Sequence, residues 1–299
     1  MRFDSVGSRI ILYLCITFGL SSIFYALIIA NGHLTGGAGR YVVGLMWCPT
    51  IGALLTCRIA KLDYSILGFK WGKSRWELTG YLVPLGYATV AYLIIWNTGL
   101  GTFGNKTFEA KLVSTFGWAS APRLVTVLVF FVLNGIYGMA GSVSSALGEE
   151  IGWRGFLAPH LDKKYGFTGG VIVTGIIWTL WHTPILVFAD YNMGTPWWFS
   201  LPCFAVLVMT ISFPLAWLRL RSRSVWPAAI LHASHNLFIQ SFFTPMTSAS
   251  GKITPYAIDE FGFVLPLVTL VVAIWFWRHR RAVAAGGDPG ASEMTMVPK

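Results

Sequence analysis

Glu149, Glu150 and Arg154 are three charged residues in the apolar run Ala146-Leu147-Gly148-Glu149-Glu150-Ile151-Gly152-Trp153-Arg154-Gly155-Phe156-Leu157. A charge near a bilayer centre costs roughly 2.5–3.5 kcal/mol on insertion scales, so such residues read first as a functional site. At helical spacing Glu150 and Arg154 share a face and can pair, whereas Glu149 points about 100° away and keeps its carboxylate for other work. The two roles expected are therefore a structural ion pair (Glu150 with Arg154) and an acid available for proton transfer (Glu149). Taken alone, Glu-Glu-x-x-x-Arg is common on soluble helices, and a purely structural pair is the competing reading.

Two further groups carry the same kind of chemistry. Ile177-Trp178-Thr179-Leu180-Trp181-His182-Thr183-Pro184 places an imidazole inside an apolar run, with Trp178 one turn before it as a pocket wall. His232 and Asn236, in Leu231-His232-Ala233-Ser234-His235-Asn236, are spaced i, i+4 and meet one target; His235 falls near that face and is a second candidate. Asn236 is a neutral donor suited to an oxyanion or to orienting a ligand or water. The bland readings are a histidine bonded to a neighbouring carbonyl, and polar groups that glue helices together. Glu149, His182 and His232 fall at broadly similar depths on three helices. Carboxylates and imidazoles converging in a low-dielectric cavity suit the activation of water, by a Glu base directly or through a bound metal. Two His and one Glu also form a known zinc set, so Glu149, His182 and His232 are the ligands expected if one divalent metal such as zinc is bound. His-Glu-x-x-His is absent from the sequence.

Helices must hold these groups. Of 299 residues 55% are hydrophobic, 15% aromatic and only 11% charged, with a mean hydropathy of +0.63. A soluble domain carries about 25% charged residues, and a helix needs about 20 apolar residues to cross the hydrocarbon core. The expectation is an all-α, polytopic transmembrane helical bundle of about eight spans: Ile10–Ala30, Tyr41–Cys57, Leu78–Leu100, Leu124–Leu147, Thr168–Ala189, Ser200–Leu218, Val225–Phe243 and Phe261–Trp277. Residues 1–281 form a single bundle with the motif region at about 123–240, and residues 282–299 are a disordered cytoplasmic tail. The loop Gly99–Pro122 has room for a short interfacial helix.

The net charge of +10 invites a nucleic-acid reading, but its distribution excludes one. Arg58, Lys61, Lys70, Lys73 and Arg75, then Lys163 and Lys164, then Arg219, Arg221 and Arg223, then Arg278, Arg280 and Arg281 cluster in alternate connections. The intervening connections hold few: Arg40; Lys106, Lys111 and Arg123; and Lys252. The positive-inside rule then sets both termini in the cytoplasm, N-in and C-in. Cys15, Cys48, Cys57 and Cys203 lie in or beside apolar spans without metal-type spacing, and read as ordinary packing residues.

At these motifs the chain resembles the CPBP family, which includes type II CAAX prenyl endopeptidases and bacteriocin-immunity proteins. The family pattern is Glu-Glu-x-x-x-Arg, Phe-x-x-x-His and His-x-x-x-Asn/Asp on separate transmembrane helices. Glu149-Glu150-x-x-x-Arg154 and His232-x-x-x-Asn236 match in full. In the second motif Trp178 replaces Phe ahead of His182, which reshapes the pocket and bears on the substrate more than on activity. The resemblance implies peptide-bond hydrolysis within a plasma membrane, at a site opening toward the cytoplasm. Glu149 would be the base, with Glu150 beside it, His182 and His232 would position water or metal, and Asn236 would stabilise the oxyanion. The partners implied are membrane lipid and a peptide substrate, a prenylated carboxyl terminus being one option. A proton-coupled transporter and a non-catalytic immunity or scaffold protein are the alternatives.

Overall fold

The computed structural model describes residues 3–31, 39–118 and 120–284. The expected tail falls mostly outside these residues; within them, Arg281–Ala284 closes the described chain as a helical turn. Helices build the molecule, and the only sheet among the described residues is a two-residue ladder.

Helix α1 (Val6–Asn31) and α2 (Gly39–Ile59) run antiparallel, and a 3₁₀ turn at Tyr64–Leu67 leads into α3 (Ser74–Asn97). The connection that follows holds β1 (Thr102–Phe103) and α4 (Lys106–Phe116), the short helix expected in that loop. Asn105 caps α4 by accepting from the backbone N–H groups of Thr107 and Phe108, and Gly117 ends it in the left-handed region at φ 67°. Next come α5 (Arg123–Leu133), a π-helical stretch at Asn134–Gly138, α6 (Met139–Glu150), a second π-helical stretch at Ile151–Leu157, and α7 (Ala158–Phe188).

The helical run Arg123–Phe188 is 66 residues long, about 100 Å at the α-helical rise and far beyond one hydrocarbon thickness. It turns back at Gly166, whose φ of 69° and ψ of 173° no ordinary side chain adopts without strain. This glycine makes two crossings from one continuous helical assignment. Helix α8 (Trp197–Ser222) follows, then α9 (Trp226–Phe238), a π-helical stretch at Ile239–Phe243 and α10 (Thr244–Met246). Strand β2 (Thr247–Ser248) pairs antiparallel with β1, Thr102 opposite Ser248 and Phe103 opposite Thr247. The chain then passes through α11 (Thr254–Ala257), α12 (Val264–Arg278) and α13 (Arg281–Ala284).

Among the described residues, five helical runs are long and apolar enough to cross a membrane by length and composition, and the protein is a multi-pass helical membrane bundle. Large apolar side chains such as Ile11, Leu124, Ile136 and Val271 point outward, as a lipid-facing surface requires. Glycines let the helices that carry the site approach closely. A Cβ on Gly152 would lie 2.5 Å from the backbone of Pro49, and one on Gly148 would lie 2.8 Å from the Met46 carbonyl oxygen. Helices α2 and α6 are thus joined at backbone distance on either side of Glu149 and Glu150. Thr50 on α2 strengthens the seam by donating to the Gly148 carbonyl at 2.7 Å.

Candidate active site

The two adjacent acids leave α6 in different directions, as 100° per residue requires. Glu150 is fully buried; its Oε1 accepts from Arg154 Nη1 at 2.8 Å and lies 2.9 Å from His232 Nδ1. An ionised carboxylate only accepts, so His232 carries its proton on Nδ1 and turns Nε2 toward the cavity. Arg154, also fully buried, donates to Ser212 Oγ at 3.1 Å and stacks with its guanidinium carbon 4.2 Å from the centre of the Trp178 ring. Glu150 thereby fixes both the guanidinium and the first histidine.

Glu149 faces elsewhere. Its Oε2 accepts from the indole N–H of Trp178 at 2.7 Å and from that of Trp153 at 3.3 Å. Both hydrogen bonds hold the carboxylate in one orientation. The sequence suggested that Glu149 would face both histidines while Glu150 served Arg154 alone. Instead the His232 hydrogen bond belongs to Glu150, and the direct partners of Glu149 are two tryptophans. Helix α9 packs directly on α6, as Ser142 Oγ donating to the Ala233 carbonyl at 2.8 Å records.

His182 hangs from α7 one turn beyond Trp178 and places Nδ1 3.1 Å from the Trp178 carbonyl. A carbonyl can only accept, so this proton too is on Nδ1, leaving Nε2 as an acceptor. Trp181, Phe204 and Tyr191 surround the ring, with centroids at 4.7, 5.0 and 6.0 Å. The Trp178 ring lies 5.3 Å from His232 and 5.9 Å from His182, so it stands between the two imidazoles.

Glu149, Trp178, His182, His232 and Asn236 line one cavity of about 660 Å³, which His235 and Glu260 also line. Glu150 and Arg154 stand behind its wall. Among the described residues, no three His, Cys, Asp or Glu side chains are gathered closely enough to hold a metal ion. The conditional metal set Glu149, His182 and His232 is therefore dispersed around the cavity rather than drawn into a ligand cluster.

Sequence reasoning missed a second polar cluster. His235 Nε2 lies 2.8 Å from Glu260 Oε1 and its Nδ1 lies 2.6 Å from the Tyr87 hydroxyl; Tyr191 donates to Glu260 Oε2 at 3.0 Å. Next to it, Asp259 accepts from Thr244 and from the Glu260 backbone N–H at 2.8 and 2.7 Å. Both acids sit in the 247–263 connection and are buried. Burial and the neighbouring Glu260 push Asp259 up to about 6. Burial opposes the charge on Glu260 as well, but the hydrogen bond and charge of His235 hold it below the usual carboxylate range. The available signal was the adjacent pair Asp259-Glu260 itself, as sparse in this chain as Glu149-Glu150.

The cavity has a closed end and an open one. Toward the basic ends of the helices, Ile151 through Leu157 are all buried, and Leu67, Arg219 and Val225 pack there. Away from them exposure rises along three walls: Leu45 to Val42 to Gly39 on α2, Glu149 to Ser145 to Gly141 on α6, and His232 to Asn236 to Gln240 from α9 onward. Two expectations thus conflict. With N-in and C-in termini the opening lies opposite the cytoplasm, so a cytoplasmic opening and cytoplasmic termini cannot hold together.

Comparison with known proteins places the signature in the same segment. Residues 120–238 match the family model described as type II CAAX prenyl endopeptidase Rce1-like. A curated protein of Methanococcus maripaludis, CAAX prenyl protease 2, is 30% identical over 96 residues, which cover 30% of this chain and 34% of the relative. The match spans about a third of that relative's length. Through the helices that carry all three motifs, the chain is similar to the type II CAAX prenyl endopeptidases.

Proposed function

We propose that the protein is an intramembrane endopeptidase of the CAAX type, seated in the plasma membrane, in which Glu149 activates the hydrolytic water. The observation that carries this reading is the placement of Glu149: a buried carboxylate, anchored through one oxygen by two indole N–H groups, at the floor of a cavity that two histidines and an asparagine share.

The chemistry follows from what each group can donate or accept. With Oε2 taken up by Trp153 and Trp178, Oε1 is the oxygen that removes a proton from water. With one water proton directed at Glu149, the Nε2 lone pair of His182 or of His232, each with Nδ1 engaged, accepts the other. The hydroxide attacks the scissile carbonyl carbon, and the Asn236 amide donates to the oxygen as it gains charge. Protonated Glu149 then returns its proton to the departing amine, the C–N bond breaks, and the carboxylate is restored. Glu150 and Arg154 take no proton; they hold His232 and the Trp178 ring in place.

The substrate class is a membrane-associated peptide. The name of the archaeal relative makes a prenylated carboxyl-terminal peptide the first substrate to offer. The test is cleavage of a peptide panel by the purified protein, read by mass spectrometry, with metal content measured on the same preparation. New termini from an internal peptide bond are expected with wild type and are lost with Asn236→Ala. Wild-type protein that binds peptides and cuts none would sink the proposal.

A further inference from the structure

His182, His232 and His235 all line the cavity at Glu149, and their ring nitrogens sort them by role. His182 and His232 each commit Nδ1 and keep Nε2 free for the cavity. His235 keeps neither nitrogen. Its Nε2–H donates to Glu260 Oε1 at 2.8 Å, which leaves Nδ1 to accept from the Tyr87 hydroxyl at 2.6 Å. His235 therefore has no lone pair to offer a water in the cavity. Its imidazole instead holds Glu260, whose other oxygen accepts from Tyr191 at 3.0 Å.

Tyr191 carries this anchorage to His182. The two rings lie face to face, 6.0 Å apart with 20° between their planes. Phe261, the residue after Glu260, packs edge-on against Tyr191 at 4.9 Å and stacks on Phe204 at 5.7 Å, and Phe204 meets the His182 ring at 5.0 Å. The two imidazoles with a free Nε2 thus differ in support. His232 is gripped by a charged acceptor, Glu150, at 2.9 Å, whereas His182 has one bond, to a carbonyl of its own helix at 3.1 Å. The Tyr191 wall supplies the rest, and its anchor is fixed. Glu260 N–H donates to the Asp259 carboxylate at 2.7 Å, and Asp259 N–H donates to the Tyr92 hydroxyl at 3.2 Å.

We propose that Tyr191 and Glu260 are positioning residues for His182, and that His235 serves the reaction only through them. This role rests on the peptidase reading of the cavity and deepens it. Each imidazole with a free Nε2 has a carboxylate behind it: Glu150 touches His232 directly, and Glu260 reaches His182 through the Tyr191 ring. A ring that swings aims its Nε2 away from the water, and a misplacement of about 1 Å can cost on the order of a hundredfold in rate.

The test uses the purified full chain with isotope-labelled histidine rings, read by NMR beside kcat, KM and melting temperature. The signals missing from His182→Gln and from His232→Gln identify the two rings. Tyr191→Phe keeps the ring and loses the hydroxyl; Glu260→Gln keeps the shape and loses the charge. Each should shift the His182 signals and leave those of His232 in place. Turnover should fall about ten- to a hundredfold with KM little changed. Both variants lose a hydrogen bond to a charged group and melt lower, so the ring signals separate positioning from mere stability. If Glu260→Gln does not fold, Tyr191→Phe decides. Unmoved His182 signals in folded Tyr191→Phe overturn the inference whatever the activity does, and so does full kcat with shifted signals. If wild type cuts no peptide, the peptidase reading is lost, and the His182 signals alone decide whether Tyr191 and Glu260 hold this ring.

Discussion

At the residue scale, the site is a division of labour between neighbours with the same side chain. Glu149 and Glu150 differ only in azimuth around the helix, and that difference gives one a pair of tryptophan donors and the other a cation and an imidazole. Removing one partner of a buried ion pair leaves an uncompensated charge, at about 3–5 kcal/mol. Arg154→Ala is therefore expected to lower thermal stability in detergent by many degrees, whereas Glu149→Gln, which keeps shape and polarity, is expected to leave the melting temperature close to wild type. Trp178→Phe restores the residue usual in the family but removes the 2.7 Å donor to Glu149. Hydrogen bonds to charged groups contribute roughly 1.5–3 kcal/mol to stability, so the variant should melt lower than wild type as well as turn over more slowly. Unchanged kcat in that variant would show that the indole N–H does not orient the base.

The i, i+4 arithmetic separates the two acids from the sequence alone, because it depends only on helix geometry. It does not reveal which acid His232 meets, since that depends on how α9 is rotated against α6. Trp153 was legible only as an apolar neighbour, yet its indole N–H is one of the two donors to Glu149.

At the element scale, backbone contact between α2 and α6 sets the position of the acids. Gly152→Ala would drive a methyl into Pro49, and overpacking of this kind costs typically 1–3 kcal/mol. The expected outcome is a lower melting temperature together with reduced activity, checked on the same preparation; unaltered values would mean the seam has slack. The 247–263 connection makes a separate prediction about pH. Asp259 has a folded-state value near 6, above its ordinary 3.8. A raised value contributes stability that is complete below about 4 and is lost as pH rises through about 6. Asp259→Asn removes that loss, so melting temperature should change less between pH 5 and pH 7.5 in the variant than in wild type. An identical slope in both proteins would contradict the placement of this carboxyl.

The elements themselves were readable unevenly. Apolar runs located the long helices. The π-helical stretches at Asn134–Gly138 and Ile151–Leu157 leave no periodic trace, because each changes the register by a residue or less within an otherwise helical pattern. Helix α9 carries His232, His235 and Asn236 in only 13 residues, and reaches a span's length through the π-helical stretch and α10 that continue it.

At the scale of the whole molecule, charge placement and cavity shape are two independent records that bear on one another. Basic residues at one face were visible in the sequence and set the termini; the direction in which the cavity opens was not, because it depends on where the three walls diverge. What unites all three scales is the assignment of the base. The most direct measurement is the turnover of a cleaved peptide by purified Glu149→Gln beside wild type, with melting temperature recorded for both. A loss of about 10²–10⁴ in kcat, the usual contribution of a general base, is expected at unchanged stability. Full turnover by the folded variant would contradict it.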